Sequence, residues 1–223
     1  MKKTASILAL FLWLCFALNS SLAQGKGNLY MRTSMFGSSL NISWIYLGTD
    51  GVIVQNPIAG ANPIDLAKEK AKNAAHNGTY KMQGNKILIN WSNGKKAEWQ
   101  IDKEGAKITG IDGGIVTQPA SMPAGYKLEG RFSASAVTAN LSSANTFLFK
   151  KDGAFDLKRS GAVSTSGGGA ISKDQKSGKY AITGNTLTLK FADGTVEKSL
   201  INIMNISGSK YLIINSGRFP LDK

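Results

Sequence analysis

The chain has 223 residues, with 27 lysines and arginines against 14 aspartates and glutamates and a formal net charge of +13. A single cysteine and a single histidine exclude an intrachain disulfide framework and leave a zinc or haem centre without a ligand set. The positive balance suits contact with anionic polymers, although lysines this scattered also serve to solvate sheet faces and guard sheet edges.

Residues 1–23 carry the three parts of a secretory signal: Lys2 and Lys3, an apolar run from Ile7 to Leu18, and Ser21-Leu22-Ala23 before Gln24. The run is shorter than the roughly 20 residues that span a bilayer, so cleavage is expected rather than anchoring, with the mature chain secreted or periplasmic. Cys15 lies inside this segment, so the mature chain has no thiol chemistry. No other stretch approaches spanning length, and no transmembrane segment is expected in the mature chain.

A first β repeat is expected over residues 24–117. It opens with Leu29 to Phe36, continues through Ile42-Ser-Trp-Ile-Tyr-Leu47, turns at Thr49-Asp-Gly51 and resumes at Val52 to Gln55. A helix follows over 63–76, with Asn62 as its cap, Pro63 in its first turn, Asp65 near its positive end and Gly78 as its stop. Its thin apolar stripe, Ile64, Ala67, Ala71 and Ala74, suits a lid packed shallowly over one end of a sheet. Residues 118–125, with two prolines and no alternation, read as a linker. A second β repeat over 126–223 follows the same plan: Tyr126 to Phe132, Thr146-Phe-Leu-Phe149, a turn at Lys151-Asp-Gly153, then Ala154 to Leu157. Where the first repeat has its helix, the second has Ser160 to Ala170, rich in serine and glycine and flexible by composition.

The strongest signal is internal. Gly78 to Gly94 recurs without a gap as Gly178 to Gly194, pairing Tyr80 with Tyr180, Gly84-Asn85 with Gly184-Asn185, and Trp91 with Phe191. With Gly-Asn as a two-residue corner, Met82 faces Ile87, Tyr80 faces Ile89, Ile182 faces Leu187 and Tyr180 faces Leu189. Alternation then sends Ile87, Ile89 and Trp91 to one face, and Leu187, Leu189 and Phe191 to its counterpart. Thr186, Thr188 and Lys190 are left outward. The next turns, at Asn93-Gly94 and Asp193-Gly194, have two forms. A two-residue turn sets Lys190 opposite Glu197; a bulged loop places Ala97, Trp99 and Ile101 with Ile87 and Ile89. Seven or eight short strands per repeat suffice to close a small barrel or to form a compact sandwich.

Gly130-Arg131-Phe132, an aromatic strand with an Asp-Gly turn, a variable loop and the Gly-x-Tyr to Asp-Gly block form an order that resembles the lipocalin-like small β-barrel domains of secreted bacterial proteins. The resemblance is fuller in the second repeat. It implies an all-β fold of two tandem repeats of a small antiparallel barrel or meander, as separate barrels or as one continuous sheet, to which the residues add one short helix in the first repeat. It carries over no binding residue.

Chemistry is sparse. His76 is the only histidine, and no nucleophile elbow or acidic partner accompanies it. Gly167-Gly-Gly169 lacks the Gly-Lys-Ser/Thr ending of a phosphate loop, and the Asp-Gly turns supply one carboxylate each. No catalytic residue, metal site or cofactor is expected, and no specific nucleic-acid binding. The large rings concentrate in the first repeat: Trp44, Tyr46, Trp91 and Trp99 are the candidate binding residues, lining a cavity near a barrel mouth. The reading is a secreted, non-enzymatic β-barrel protein that binds a small apolar ligand or a protein partner. The alternative is a basic cell-envelope or matrix protein that holds anionic polymer.

Overall fold

The computed structural model describes residues 26–222 apart from positions 38, 62, 138–140, 166–167 and 207. The expected signal segment 1–23, the Asn62 cap and Gly167 lie outside the described residues. Eight strands pair in chain order in the first half: β1 (Gly27–Phe36), β2 (Ser39–Gly48), β3 (Val52–Gln55), β4 (Asn77–Gln83), β5 (Lys86–Trp91), β6 (Lys96–Glu104), β7 (Lys107–Ile111) and β8 (Gly114–Thr117). β8 returns onto β1, with Arg32 opposite Val116, and closes a barrel. The second half repeats the order with β9 (Gly130–Val137), β10 (Leu141–Phe149), β11 (Ala154–Thr165), β12 (Gly168–Thr183), β13 (Thr186–Phe191), β14 (Val196–Ile206), β15 (Ser209–Ile214) and β16 (Gly217–Pro220). Its seam is almost shut, by a bridge between Phe132 and Leu221 and by the Asp222 N–H donating to the Arg131 carbonyl at 2.8 Å. The all-β expectation of two tandem antiparallel barrels holds. Among the described residues no helix is long and apolar enough to cross a membrane.

Register follows the corners. Gly84 and Gly184 have φ of 58° and 56°, and the pairs Met82–Ile87, Tyr80–Ile89, Ile182–Leu187 and Tyr180–Leu189 form as expected. The following turns are both bulged. Trp91 N–H donates to Lys95 O at 2.8 Å and Phe191 N–H to Thr195 O at 2.9 Å, with Gly94 and Gly194 at φ of 83° and 84°. Ile87 therefore meets Trp99 and Ile89 meets Ala97, while Lys190 sits opposite Val196 rather than Glu197. Tyr80 and Tyr180 have matching roles. Their N–H groups donate to Gly51 and Gly153, and their hydroxyls reach the carbonyls of Gly48 and Lys150, which fastens each Asp-Gly turn to the fourth strand of its barrel.

The variable loop differs from expectation in both halves. The helix, α1 (Leu66–Lys72), is shorter than the expected 63–76. Asp65 caps it by accepting the Lys68 N–H at 3.0 Å, and Asn73 ends it. The side chain of Asn77 donates to the carbonyls of Glu69 and Asn73, which helps satisfy the helix end. Ala67 and Ala71 are exposed and Glu69 is fully buried, so the alanine stripe is not the docked face. The Glu69 carboxylate accepts from the N–H groups of Ile58 and Ala59 at 2.7 and 3.3 Å and from Asn73 Nδ2 at 2.8 Å. In the second half, the expected slack loop over Ser160 to Ala170 is a ribbon where it is described. Its described residues extend β11 and β12 as a paired ribbon, because the ladder is made by backbone groups and asks little of side chains.

The two barrels meet through the outer face of β1 and β2. Met31, Ile42, Trp44 and Ala61 pack on Leu200 and Ile213 of the second barrel, and Trp44 Nε1 donates to Asn215 O at 2.6 Å. The Ala61 N–H donates to Thr186 Oγ1 at 2.8 Å. Beside it, Gly60 has φ of 83°, and a Cβ there would lie 2.3 Å from Thr186 Cγ2. Thr186 is thus buried rather than solvated, because the first barrel's loop covers it, whereas Thr188 is half-buried and Lys190 exposed.

Two stability predictions follow from these contacts. Trp44→Ala removes the centre of the junction and a buried N–H bond, and is expected to cost about 3–5 kcal/mol in urea unfolding. An unchanged midpoint would show that the junction contributes little. Glu69→Ala strips the partner from two backbone N–H groups and is expected to cost about 2–4 kcal/mol. The check is faster amide exchange at Ile58 and Ala59 alongside the lowered midpoint.

Candidate functional site

Alternation along the first barrel's strands points Tyr30, Ile45, Leu47, Ile53, Ile87 and Ile89 inward as one buried cluster. At the end where β1 runs toward Phe36, this packing gives way to a cavity of about 400 Å³. Ile45 and Ile111 line its apolar part together with Trp91 and Trp99. The two indoles meet edge-to-face, 5.7 Å between centroids and 61° between planes. The segment after α1 and the bulged β5–β6 turn contribute Ala75, His76, Asn93 and Lys95, while β1, β3 and the β7–β8 turn supply Arg32, Gln55 and Asp112.

The second barrel shows why the space exists. The pairs Ile45–Gln55 and Leu47–Ile53 occupy the register held there by Phe147–Leu157 and Phe149–Phe155. Those phenylalanines fill the second interior. Phe147 stacks on Phe149 at 5.7 Å and meets Phe219 edge-on at 5.2 Å, and Phe155 meets Phe191 at 5.3 Å. Isoleucine and leucine at the equivalent positions of the first barrel do not reach across. The tryptophan at position 99, where the register of the second barrel has Ser199, builds a wall from β6 instead of closing the centre.

The rim is polar and partly pinned. Arg32 Nε donates to Ile111 O at 2.7 Å and Nη2 to Asp112 O at 2.5 Å, with the Asp112 carboxylate 3.8 Å away. His76 Nδ1 lies 3.4 Å from Gln55 Oε1, and Asn93 Oδ1 accepts the Lys95 N–H at 3.1 Å, which shapes the turn. Burial pushes the Tyr30 hydroxyl above the ordinary phenol range. Burial does the same at Tyr80, aided by Tyr30 and Asp50. Among the described residues, no group of three or more histidine, cysteine, aspartate or glutamate side chains gathers as a metal site would need. The arrangement can enclose, stack upon and orient a small molecule.

Of the four candidate residues, the structure brings Trp91 and Trp99 together on the cavity. Trp44 and Tyr46 lie on the opposite face of β2. Trp44 is the junction residue, and Tyr46 packs on Val54 and Ile64. The Tyr46 hydroxyl is buried with no hydrogen-bond partner, and burial, then the charge of Asp50, raises its pKa. Arg32, Ile45, Gln55, Asn93, Lys95 and Asp112 also line the site and are not among the four candidates. The signal that finds them is the difference between aligned repeats: Ile45 against Phe147, and Asn93 against Asp193.

A family model described as a lipocalin-like domain matches residues 99–210, half of the chain, from Trp99 in β6 of the first barrel to Lys210 in β15 of the second. Comparison with curated proteins finds no match, and comparison with solved structures finds none. Lipocalin-like barrels are in general ligand-binding and non-enzymatic, and their interiors fit small apolar molecules. The resemblance carried by the Gly-Arg-Phe opening and the doubled hairpin block is therefore shown, and the chain belongs to the lipocalin-like domain family.

Proposed function

We propose that this is a secreted, non-enzymatic binding protein whose first barrel takes a small ligand with an apolar, ring-bearing body. The observation that carries the reading is the cavity of about 400 Å³ walled by Trp91, Trp99, Ile45 and Ile111, at a position where the second barrel is packed with phenylalanine. The volume falls in the ordinary range of small-molecule sites, roughly 300–1,000 Å³. Indole faces and edges give such a ligand both apolar area and geometric preference. Secretion rests on the signal-like residues 1–23. The alternative of anionic-polymer binding has weaker support. Lys86, Lys150, Lys151 and Lys179 stand in ion pairs with Glu98, Asp156, Glu129 and Asp152, and the remaining lysines are spread over both barrels rather than gathered in one part of the sequence.

The neutral fluorophore N-phenyl-1-naphthylamine serves as the test ligand. Titration into the purified protein is expected to give saturable enhancement at roughly micromolar concentrations. Ile45→Phe, which copies the second barrel, is expected to weaken it by about tenfold or more. A linear, non-saturating signal, or one that Ile45→Phe leaves unchanged, would overturn the proposal.

A further inference from the structure

The second barrel serves as an internal reference for the charges at the mouth of the first. At the reference mouth, Arg159 pairs with Glu197 at 3.3 Å and Lys176 with Asp193 at 3.8 Å. The Lys176 ammonium also sits 5.4 Å from the centre of the Phe191 ring. Two cations thus meet two carboxylates at that end, over a filled interior, and Asp174 opposite Arg159 in the ladder adds a third acid.

The first mouth has lost both acids. In the ungapped block Asn93 stands at the position of Asp193, and just ahead of the block His76, bonded to Gln55, takes the register that Lys176 holds opposite Leu157. Continuing the same register, Ala97 opposite Ile89 replaces Glu197 opposite Leu189. The position of Arg159 falls where the chain leaves β3 toward α1. A cation has been added: Lys95 occupies the place of Thr195 in the bulged turn. The one carboxylate on the cavity rim, Asp112, is directed to Arg32 at 3.8 Å, and among the described residues Lys95 and His76 have no acidic partner. Exposed lysine ordinarily signifies nothing. Here it lines the entrance of a half-enclosed cavity with an apolar wall and a polar rim, beside a guanidinium and an imidazole, where the matching entrance of the same chain carries two paired acids.

We infer that the ligand of the first barrel is a small amphiphilic anion, its apolar body against Trp91 and Trp99 and its anionic group at the mouth with Lys95, beside His76 and Arg32. This rests on the cavity reading above and adds the chemical class to it. A carboxylate, sulfonate or phosphate fits, since each accepts charge-assisted N–H bonds from ammonium, imidazole and guanidinium groups. Low-dielectric walls strengthen that attraction relative to an open surface and draw anions toward the opening. A cationic ligand would be repelled, and a neutral one would gain nothing from the lost acids. The cavity volume sits near the lower end for ligand sites, which selects a free small molecule over a diacyl lipid.

The test compares 8-anilino-1-naphthalenesulfonate with N-phenyl-1-naphthylamine, which share one ring body and differ by the sulfonate. The unmodified protein is expected to bind the anion about tenfold more tightly, with the preference shrinking as salt rises. Asn93→Asp and Lys95→Thr restore the second barrel's residues on an exposed turn. Asp193 already shapes the equivalent turn there by accepting the Thr195 N–H at 2.8 Å, so folding should be untouched. Each is expected to weaken the anionic probe several-fold, the pair together about tenfold, while the neutral probe changes less than about twofold. Equal affinity for the two probes in the unmodified protein, or a preference that survives both substitutions, overturns the charge inference and leaves the cavity standing. An anionic signal that persists in Ile45→Phe places the probe outside the cavity and also overturns it. If neither probe saturates, cavity and charge readings fall together.

Discussion

A two-residue corner at Gly84-Asn85, and its copy at Gly184-Asn185, decides which side chains enter each barrel. Positive φ at the glycine lets the chain reverse with the twist that antiparallel strands require. The corner is also tied to the next strand: Ile101 and Ile201 donate their N–H groups to the Asn85 and Asn185 carbonyls, both at 2.9 Å. A slip of one residue at either place would turn Ile87, Ile89 and Trp91, or Leu187, Leu189 and Phe191, toward solvent. Core, cavity and junction all inherit their faces from this choice. The tyrosine hydroxyls add a second constraint, since each holds the Asp-Gly turn of its own barrel against the fourth strand.

One backbone plan thus carries two interiors. In the second barrel, phenylalanines from facing strands meet at the axis and leave little room. In the first, shorter aliphatic side chains occupy the same register, and the volume they release opens to one end. The filled barrel is also a brace for the hollow one. Trp44 joins the outer face of β2 to Asn215, and Gly60-Ala61 lies against Thr186, so the wall behind the cavity is held from outside. Glu69 fixes the remaining side of the mouth, because its carboxylate gathers Ile58, Ala59 and Asn73 just ahead of His76.

The corners, the alternation after them and the doubling of the unit were legible in the sequence because each is a local property of a few residues. Trp44 and Tyr46 were harder to place. Ile42-Ser-Trp-Ile-Tyr-Leu47 is apolar at nearly every position, since one face meets the barrel interior and the other meets the second barrel, Val54 and Ile64. A strand buried on both sides gives no alternation from which to read a face. The helix misled for a related reason. Alanines at helical spacing suggested the docked stripe, but the backbone N–H groups of Ile58 and Ala59 needed an acceptor, and Glu69 supplied it from the buried side. Serine and glycine in Ser160 to Ala170 implied a slack loop, yet ladder bonds formed regardless of side chain. An empty volume leaves no residue to mark it. Only the size difference between Ile45 and Phe147, or Ile53 and Phe155, records it.

The two barrels also balance backbone and side-chain contributions differently. The hollow barrel is the one whose ladder closes fully, with β8 paired to β1 from Met31 to Thr33. The filled barrel closes by one bridge at Phe132 and a bond from Asp222, and its rings make up in contact area what its seam lacks in paired backbone. A cavity forfeits dispersion contacts on every surface that lines it, so it is tolerated best where closure leaves no strand edge to fray. On that argument the hollow interior sits in the barrel whose seam is paired, and the phenylalanine packing sits in the one whose seam is bridged at a single point.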